Sequence, residues 1–225
     1  MTSAVKTAAG GQEAAPYQWL RKYPQDVDWF QQFRPIPMGQ LLDSAVAAHG
    51  SRTCTNFLGK TLTYAEIGQL VDRTAAGLQK LGVKRGTKVG LFLPNCPTFI
   101  IYYFATLKAG GTIVNYNPLY TPDELTFQVK DSETEMMVTL DLKLLFDKVE
   151  SLMKAGTLKR AVVASFPALL PSAKSVLFKL FKGKELAHTA KSPVAARIVL
   201  DADVPADTDS FQKPAIDSVN DVAVL

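Results

Sequence analysis

Few residues in this chain have the type and spacing to do chemistry. His49 and His188 are the only histidines, which excludes a His-rich metal site and leaves a Ser-His or Cys-His device little to work with. Cys54 and Cys96 lie far apart and form no C-x-x-C pair, so neither a zinc site nor a disulfide scaffold is expected, in keeping with a reducing cytosol. Ser44, Thr87 and Ser132 have no base nearby in sequence. Asp72-Arg73 and Lys84-Arg85 read as ordinary surface charge. Asp123 and Glu124 could be posed as an acid and a base, but they follow Thr121-Pro122, a helix-opening pattern. Carboxylates in a first helical turn are stabilised by the helix dipole without any catalytic role, and that reading is preferred.

Gly110-Gly111 raises the possibility of a phosphate cradle. The pair follows a helical run and precedes an apolar one, the wrong side for an anion site at a helix N-terminus. Helix termination with close backbone packing fits better. Neither G-x-G-x-x-G nor G-x-x-x-x-G-K-[ST] is present, so both nucleotide fingerprints fail. Asn95, Asn115 and Asn117 each end an expected strand. Open α/β sheets bind ligands at that edge, although turn formation explains asparagines there equally well.

Positive charge is concentrated in FPALLPSAKSVLFKLFKGKELAHTAK (166–191), where five lysines and one glutamate fall between Lys174 and Lys191. Phe178, Lys179, Phe181, Lys182 and Lys184 form a basic amphipathic pattern that could touch an anionic membrane. The plainer reading is a solvated cationic face over a core stripe.

The elements that would position these residues follow from periodicity. A helical stretch runs over Met38–Ala48, after an aromatic segment holding Tyr17, Trp19, Tyr23, Trp29, Phe30 and Phe33. That segment is expected to pack over a surface groove as an N-terminal arm. TCTNF (53–57) and TLTY (61–64) form a hairpin around LGK. Thr63 and Glu66 make a capping box opening a helix whose apolar stripe is Ile67, Leu70, Val71, Ala75, Leu78 and Leu81, with Gly82 as its stop. Strands at 88–94, 111–116, 136–140 and 161–165 alternate with helices at 95–109, from Thr121, and from Leu142. Short, almost wholly apolar strands alternating with helices predict an α/β fold with a doubly wound, mostly parallel sheet and flanking helices. After residue 201 the chain reads as loop until Asp221, where VAVL opens a further strand in which these 225 residues end.

Hydrophobic residues at 47% and charged residues at 20% are a globular balance. A net charge of +4, spread among both signs over most of the chain, lacks the basic footprint of a nucleic-acid binder. Residues 1–15 are small and polar, an expected disordered leader without the apolar core of a signal peptide. The longest apolar run, Thr98–Leu107, is too short to span a bilayer. A cytoplasmic protein is expected, with a peripheral contact at the inner membrane face as a further candidate.

Four ordered motifs then coincide: LTY-x-E (62–66), GLQKLGVKRG (77–86), V-x-L-x-LPN (89–95) and LKAGG…NP (107–118). Together they resemble the N-terminal part of the acyl-adenylate-forming (AMP-binding) synthetase superfamily, over about Arg34 to Leu225. NYNPLYT, the aromatic leader and the lysine-rich insert are most similar to its bacterial long-chain fatty-acid–CoA ligases. One departure is Gly86-Thr87, where the family usually has Gly-Asp; it is expected to weaken a local turn.

The resemblance implies residues 1–33 as leader and arm, and 34–225 as an incomplete adenylation domain carrying a basic insert near 166–191. It implies a parent enzyme that uses fatty acid, ATP, Mg²⁺ and CoA, with a homodimer and a membrane contact as candidate associations and no nucleic acid. In such enzymes a strand like DVAVL leads into a phosphate loop of the form YTSGTTGxPKG, and the groups on adenine, ribose and Mg²⁺ come later. No catalytic, cofactor-binding or metal-ligating residue is therefore expected within these 225 residues, which should be inactive alone. Two other readings stay open: a non-catalytic α/β module docking to a membrane or partner, and a sister ligase for aryl or short-chain acids.

Overall fold

The computed structural model describes residues 17, 19, 22–24, 26–28 and 30–225. The expected leader and Trp29 lie outside them. The described residues before Ile36 belong to one unit and Ile36–Leu225 form another. Within the first, the rings of Tyr17 and Trp19 stack at 5.2 Å.

The second unit opens with α1 (Gly39–His49), then the antiparallel hairpin β1 (Thr53–Phe57) and β2 (Lys60–Thr63). Its two-residue tip holds Leu58 at φ 54° and Gly59 at φ 99°. Two successive positive φ values are what a type I′ turn requires. In α2 (Tyr64–Lys80), Thr63 accepts the Glu66 N–H while the Glu66 carboxylate accepts the Thr63 N–H, the reciprocal cap read from the sequence.

Next come β3 (Lys88–Leu91), α3 (Pro97–Lys108), β4 (Thr112–Asn115), α4 (Pro122–Asp131), β5 (Met136–Leu140), α5 (Lys143–Lys154), β6 (Arg160–Ala164), α6 (Ser172–Lys182) and β7 (Ile198–Leu200). The strands form one sheet in the order β4-β3-β5-β6-β7 with all pairs parallel. All five residues of β5 are buried, as a central parallel strand covered on both faces must be. With the strand order β4-β3-β5-β6-β7, the right-handed rule for parallel crossovers puts α3 on one face and α4 and α5 on the other. The core between the layers holds the fully buried Ile67, Val71, Leu78, Leu91, Ile113, Leu125, Met137, Leu140 and Met153.

Gly110-Gly111 ends α3 by a double hydrogen bond. Gly110, at φ 91°, donates to Leu107 O, and Gly111 donates to Thr106 O. This is the paired bond of a Schellman stop, which needs a residue without Cβ in the left-handed region. A Cβ on Gly111 would lie 2.9 Å from Thr106 Cγ2 and 3.1 Å from Thr87 O, so the second glycine serves close packing. The Gly86-Thr87 turn is not weak: the Thr87 hydroxyl accepts the Lys84 N–H at 3.1 Å. A threonine oxygen closes the turn at the place where an aspartate could do the same.

Two features after residue 165 depart from expectation. Ile198–Leu200, given no strand in the sequence reading, pairs along β6 as the sheet edge. VAVL does not extend from that edge; it lies beside β4 at the opposite one. Ile113 donates to Ala223 O, Leu225 donates to Ile113 O, and Ile113 bridges Val224 in parallel.

Candidate functional site

In the order β4-β3-β5-β6-β7 the winding across the sheet reverses between β3 and β5, since β4 is laid down on one side of β3 and β5 to β7 on the other. Open sheets of this kind present ligand crevices at the carboxyl ends of the strands beside such a reversal. Phe92, Leu93, Pro94, Asn95 and Cys96 leave β3 there, and Asp141 leaves β5. Phe92 is fully buried, with Lys148 Nζ of α5 5.8 Å from its ring centroid. Lys148 also donates to Tyr120 O at 2.6 Å. The innermost part of this edge is thus filled by the chain's own side chains.

Asp141 accepts the Phe166 N–H at 2.7 Å, and its own carbonyl accepts the Ala187 N–H. Burial pushes its carboxyl up from the usual range, while the hydrogen bonds from Phe166 and Ser165 oppose that rise. Its arrangement joins the end of β5 to the two segments that flank α6, which is a positioning job.

A second polar group at the same end was not legible in the sequence. Tyr102, fully buried in α3, donates its hydroxyl to Asp201 Oδ1 at 2.7 Å. Asp201 directly follows β7. Burial holds the Asp201 carboxyl above its ordinary range, and burial together with the Asp201 charge pushes the Tyr102 hydroxyl well above its own. Burial also raises the Cys96 thiol, with a smaller contribution from the Asp201 charge. A raised thiol stays protonated and unreactive. The cue for Asp201 was IVLD, three apolar residues ending in an acid, too short to stand out as a strand.

The asparagines divide. Asn117 Oδ1 accepts the Leu119 N–H at 3.0 Å, a turn role. Asn115 O accepts from Gln128 at 3.1 Å. Asn95 is exposed and, with Cys96, Pro97, Phe99 and the strand β1 residues Cys54–Phe57, lines a cleft of about 360 Å³. The structure does not bring the three together around one crevice. Asp123 and Glu124 lie in the first turn of α4, where the Glu124 carboxylate accepts the Thr121 N–H at 2.8 Å. That bond lowers its pKa. Asp72 is more than surface charge: with Asp43 it grips Lys108 Nζ, at 2.5 Å each, tying α1, α2 and α3 together.

Of the lysine-rich set, Phe178 turns inward, its ring 4.9 Å from that of Phe166. Lys179, Phe181, Lys182 and Lys184 are exposed. Among the described residues no group of three or more His, Cys, Asp or Glu is placed to hold a metal ion.

The AMP-binding enzyme family model matches residues 42–224, and the chain belongs to that family. It is 30% identical over 207 residues to the long-chain-fatty-acid–CoA ligase of Bacillus subtilis, a match covering 92% of this chain and 37% of that protein. A 4-coumarate–CoA ligase of Arabidopsis thaliana is 38% identical over 100 residues, covering 44% of this chain and 17% of the plant enzyme. In fold, the chain is similar to coronafacic acid ligase from Pectobacterium brasiliense, with a TM-score of 0.62 at 16% identity over 84% of this chain and 33% of that one. The chain thus spans just over a third of the length of the Bacillus relative.

Proposed function

We propose that this chain is the N-terminal part of a long-chain fatty-acid–CoA ligase working in the cytoplasm. In the whole enzyme a fatty-acid carboxylate oxygen attacks the α-phosphorus of ATP. Pyrophosphate leaves and acyl-AMP forms. The CoA thiolate then attacks the acyl carbon and AMP departs with the bond electrons, giving acyl-CoA. The observation carrying this reading is the match to the Bacillus ligase along nearly the whole chain.

In this reading the 225 residues supply scaffold rather than chemistry. They hold no Gly-rich phosphate loop, and the described residues hold no metal-binding carboxylate cluster. Neutralising a triphosphate during attack needs backbone N–H donors and cations already in place. The isolated chain, given ATP, Mg²⁺, oleate and CoA, should form neither acyl-AMP nor acyl-CoA above a protein-free blank. Turnover detected by mass spectrometry overturns the expectation of inactivity. The reading of the parent is tested separately by the coding sequence beyond Leu225: a Gly/Ser/Thr-rich loop ending in Pro-Lys-Gly supports it, and a natural stop favours a non-catalytic docking module. The shorter match to a 4-coumarate ligase keeps an aryl acid as the competing substrate, separated by comparing oleate with 4-coumarate in the whole enzyme.

A further inference from the structure

The sequence pattern of α6 sets an ordinary surface helix, apolar side inward, against a membrane-facing one. The structure places the apolar side outward. No residue of α6 is buried. Val176, Leu177, Leu180 and Phe181 are 57, 52, 73 and 80% exposed. At 100° per residue Val176, Leu177 and Leu180 fall on one face, with Phe181 at its border, while Ser175 and the inward Phe178 lie opposite.

The hairpin tip continues this surface. Leu58 is held in the left-handed region, where Asn, Asp or Gly is the usual occupant, and its side chain is 52% exposed. Leu58, Leu177 and Phe181 line one shallow depression together with Lys174 and Lys182. Two lysines fix the tip against the α6 region: Lys174 Nζ donates to Leu58 O at 2.6 Å, and Lys60 Nζ donates to Ala168 O at 2.7 Å. An apolar side chain kept at a strained, exposed turn position, and continuous with an exposed apolar helix face, belongs to one contact surface.

Charge identifies the occupant. Lys174 and Lys182 line the depression beside Leu58, Leu177 and Phe181, Lys179 and Lys184 are exposed on the same segment, and Glu185 lies 3.2 Å from Lys182. A protein partner could cover an apolar face with any rim. Apolar side chains at the centre with a nearly single-sign lysine border fit a surface whose interior is hydrocarbon and whose headgroups are anionic. No helix among the described residues is long and apolar enough to cross a membrane, so the contact is a peripheral one.

We infer that the outer face of α6 and the β1–β2 tip form a docking surface for an anionic lipid bilayer, with Leu58, Leu177, Leu180 and Phe181 entering the headgroup boundary and the lysines pairing with lipid phosphates. This goes beyond the ligase reading and stands on the surface alone. The occupant is committed to lipid; a protein or a second copy of the chain are outcomes of the test.

The test is sedimentation of the 225-residue chain with vesicles of phosphatidylglycerol and phosphatidylcholine, and with phosphatidylcholine alone. Binding is expected on the mixed vesicles and should weaken by about tenfold or more between low and high salt. Leu180→Glu with Phe181→Glu should lower the partition coefficient by about a hundredfold. Reversing Lys174, Lys179, Lys182 and Lys184 to Glu should cost about fivefold per residue or more. Lys130→Glu with Lys143→Glu, exposed lysines elsewhere, should bind like the parent chain, and circular dichroism checks that each variant is folded. Three results overturn the inference: no binding by the folded parent chain, equal binding to neutral vesicles, or unchanged binding by the α6 variants. A dimer seen by analytical ultracentrifugation without lipid and abolished by Phe181→Glu, in a chain that ignores vesicles, assigns the face to self-association instead. None of these results bears on acyl-CoA formation, which is read separately.

Discussion

The Tyr102–Asp201 bond is where single side chains matter most. Two groups 99 positions apart hide a hydroxyl and a carboxylate together at the carboxyl end of the sheet. Removing only the donor leaves the acid buried and unpaired, so Tyr102→Phe should cost about 1.5–3 kcal/mol in urea denaturation. Asp201→Asn keeps an acceptor and loses the charge, and should recover much of the loss when combined with Tyr102→Phe. Burial raises the folded carboxyl above its unfolded value, so the folded state binds more protons over that interval. Stability is therefore fully present below the ordinary carboxylate range and declines as pH rises through the raised value. Asp201→Asn should flatten that decline in thermal midpoints measured from acid to neutral pH. Thr139, fully buried in β5, has a hydroxyl without a hydrogen-bond partner. Replacing it by the isosteric valine should raise stability by about 1 kcal/mol.

Elements here are set by their ends. α4 begins with the Thr121–Glu124 reciprocal cap, and Thr121→Ala should lower stability by about 1 kcal/mol. The Glu124 carboxyl titrates below its ordinary value because the Thr121 N–H favours the charged form. Its contribution is present above the ordinary carboxylate range and fades as pH falls through the lowered value. An alanine scan of the cap repeated at neutral and acid pH should show the effect of Glu124→Ala shrinking in acid. At the end of α3, Gly110→Ala forces a side chain into the left-handed region and should cost about 1–2 kcal/mol. These ends were legible in sequence because caps and stops depend on residues three to six positions apart. The strand Ile198–Leu200 was not: three apolar residues are too few to show a period, and only pairing with β6 defines it.

At the scale of the molecule, close approaches between distant segments decide stability. Gly77 of α2 lies so near the backbone after β7 that a Cβ would overlap the Val204 carbonyl. Gly77→Ala must therefore move a helix or the Asp201–Val204 segment, and should destabilise by about 3 kcal/mol or more in chemical denaturation. A loss below about 0.5 kcal/mol, the level of an ordinary surface change, contradicts this packing. Residues 222–225 settle beside β4, the sheet edge opposite β7.

The sequence alone determined the α/β rhythm, the capped helix starts and glycine stops, and, through four ordered motifs, the family. All of these are carried by residues close together in the chain, where periodicity and turn chemistry act. Tertiary structure alone decided the strand order, the side of the sheet that receives residues 222–225, the pairing of Tyr102 with Asp201, and which face of α6 meets solvent. The last is the clearest case. The apolar and basic residues of α6 make the same pattern whether the helix lies one way or the other. What fixes it is the body it rests on: Phe166 takes Phe178 inward, Lys174 is held by the hairpin tip, and the stripe of leucines is left facing out.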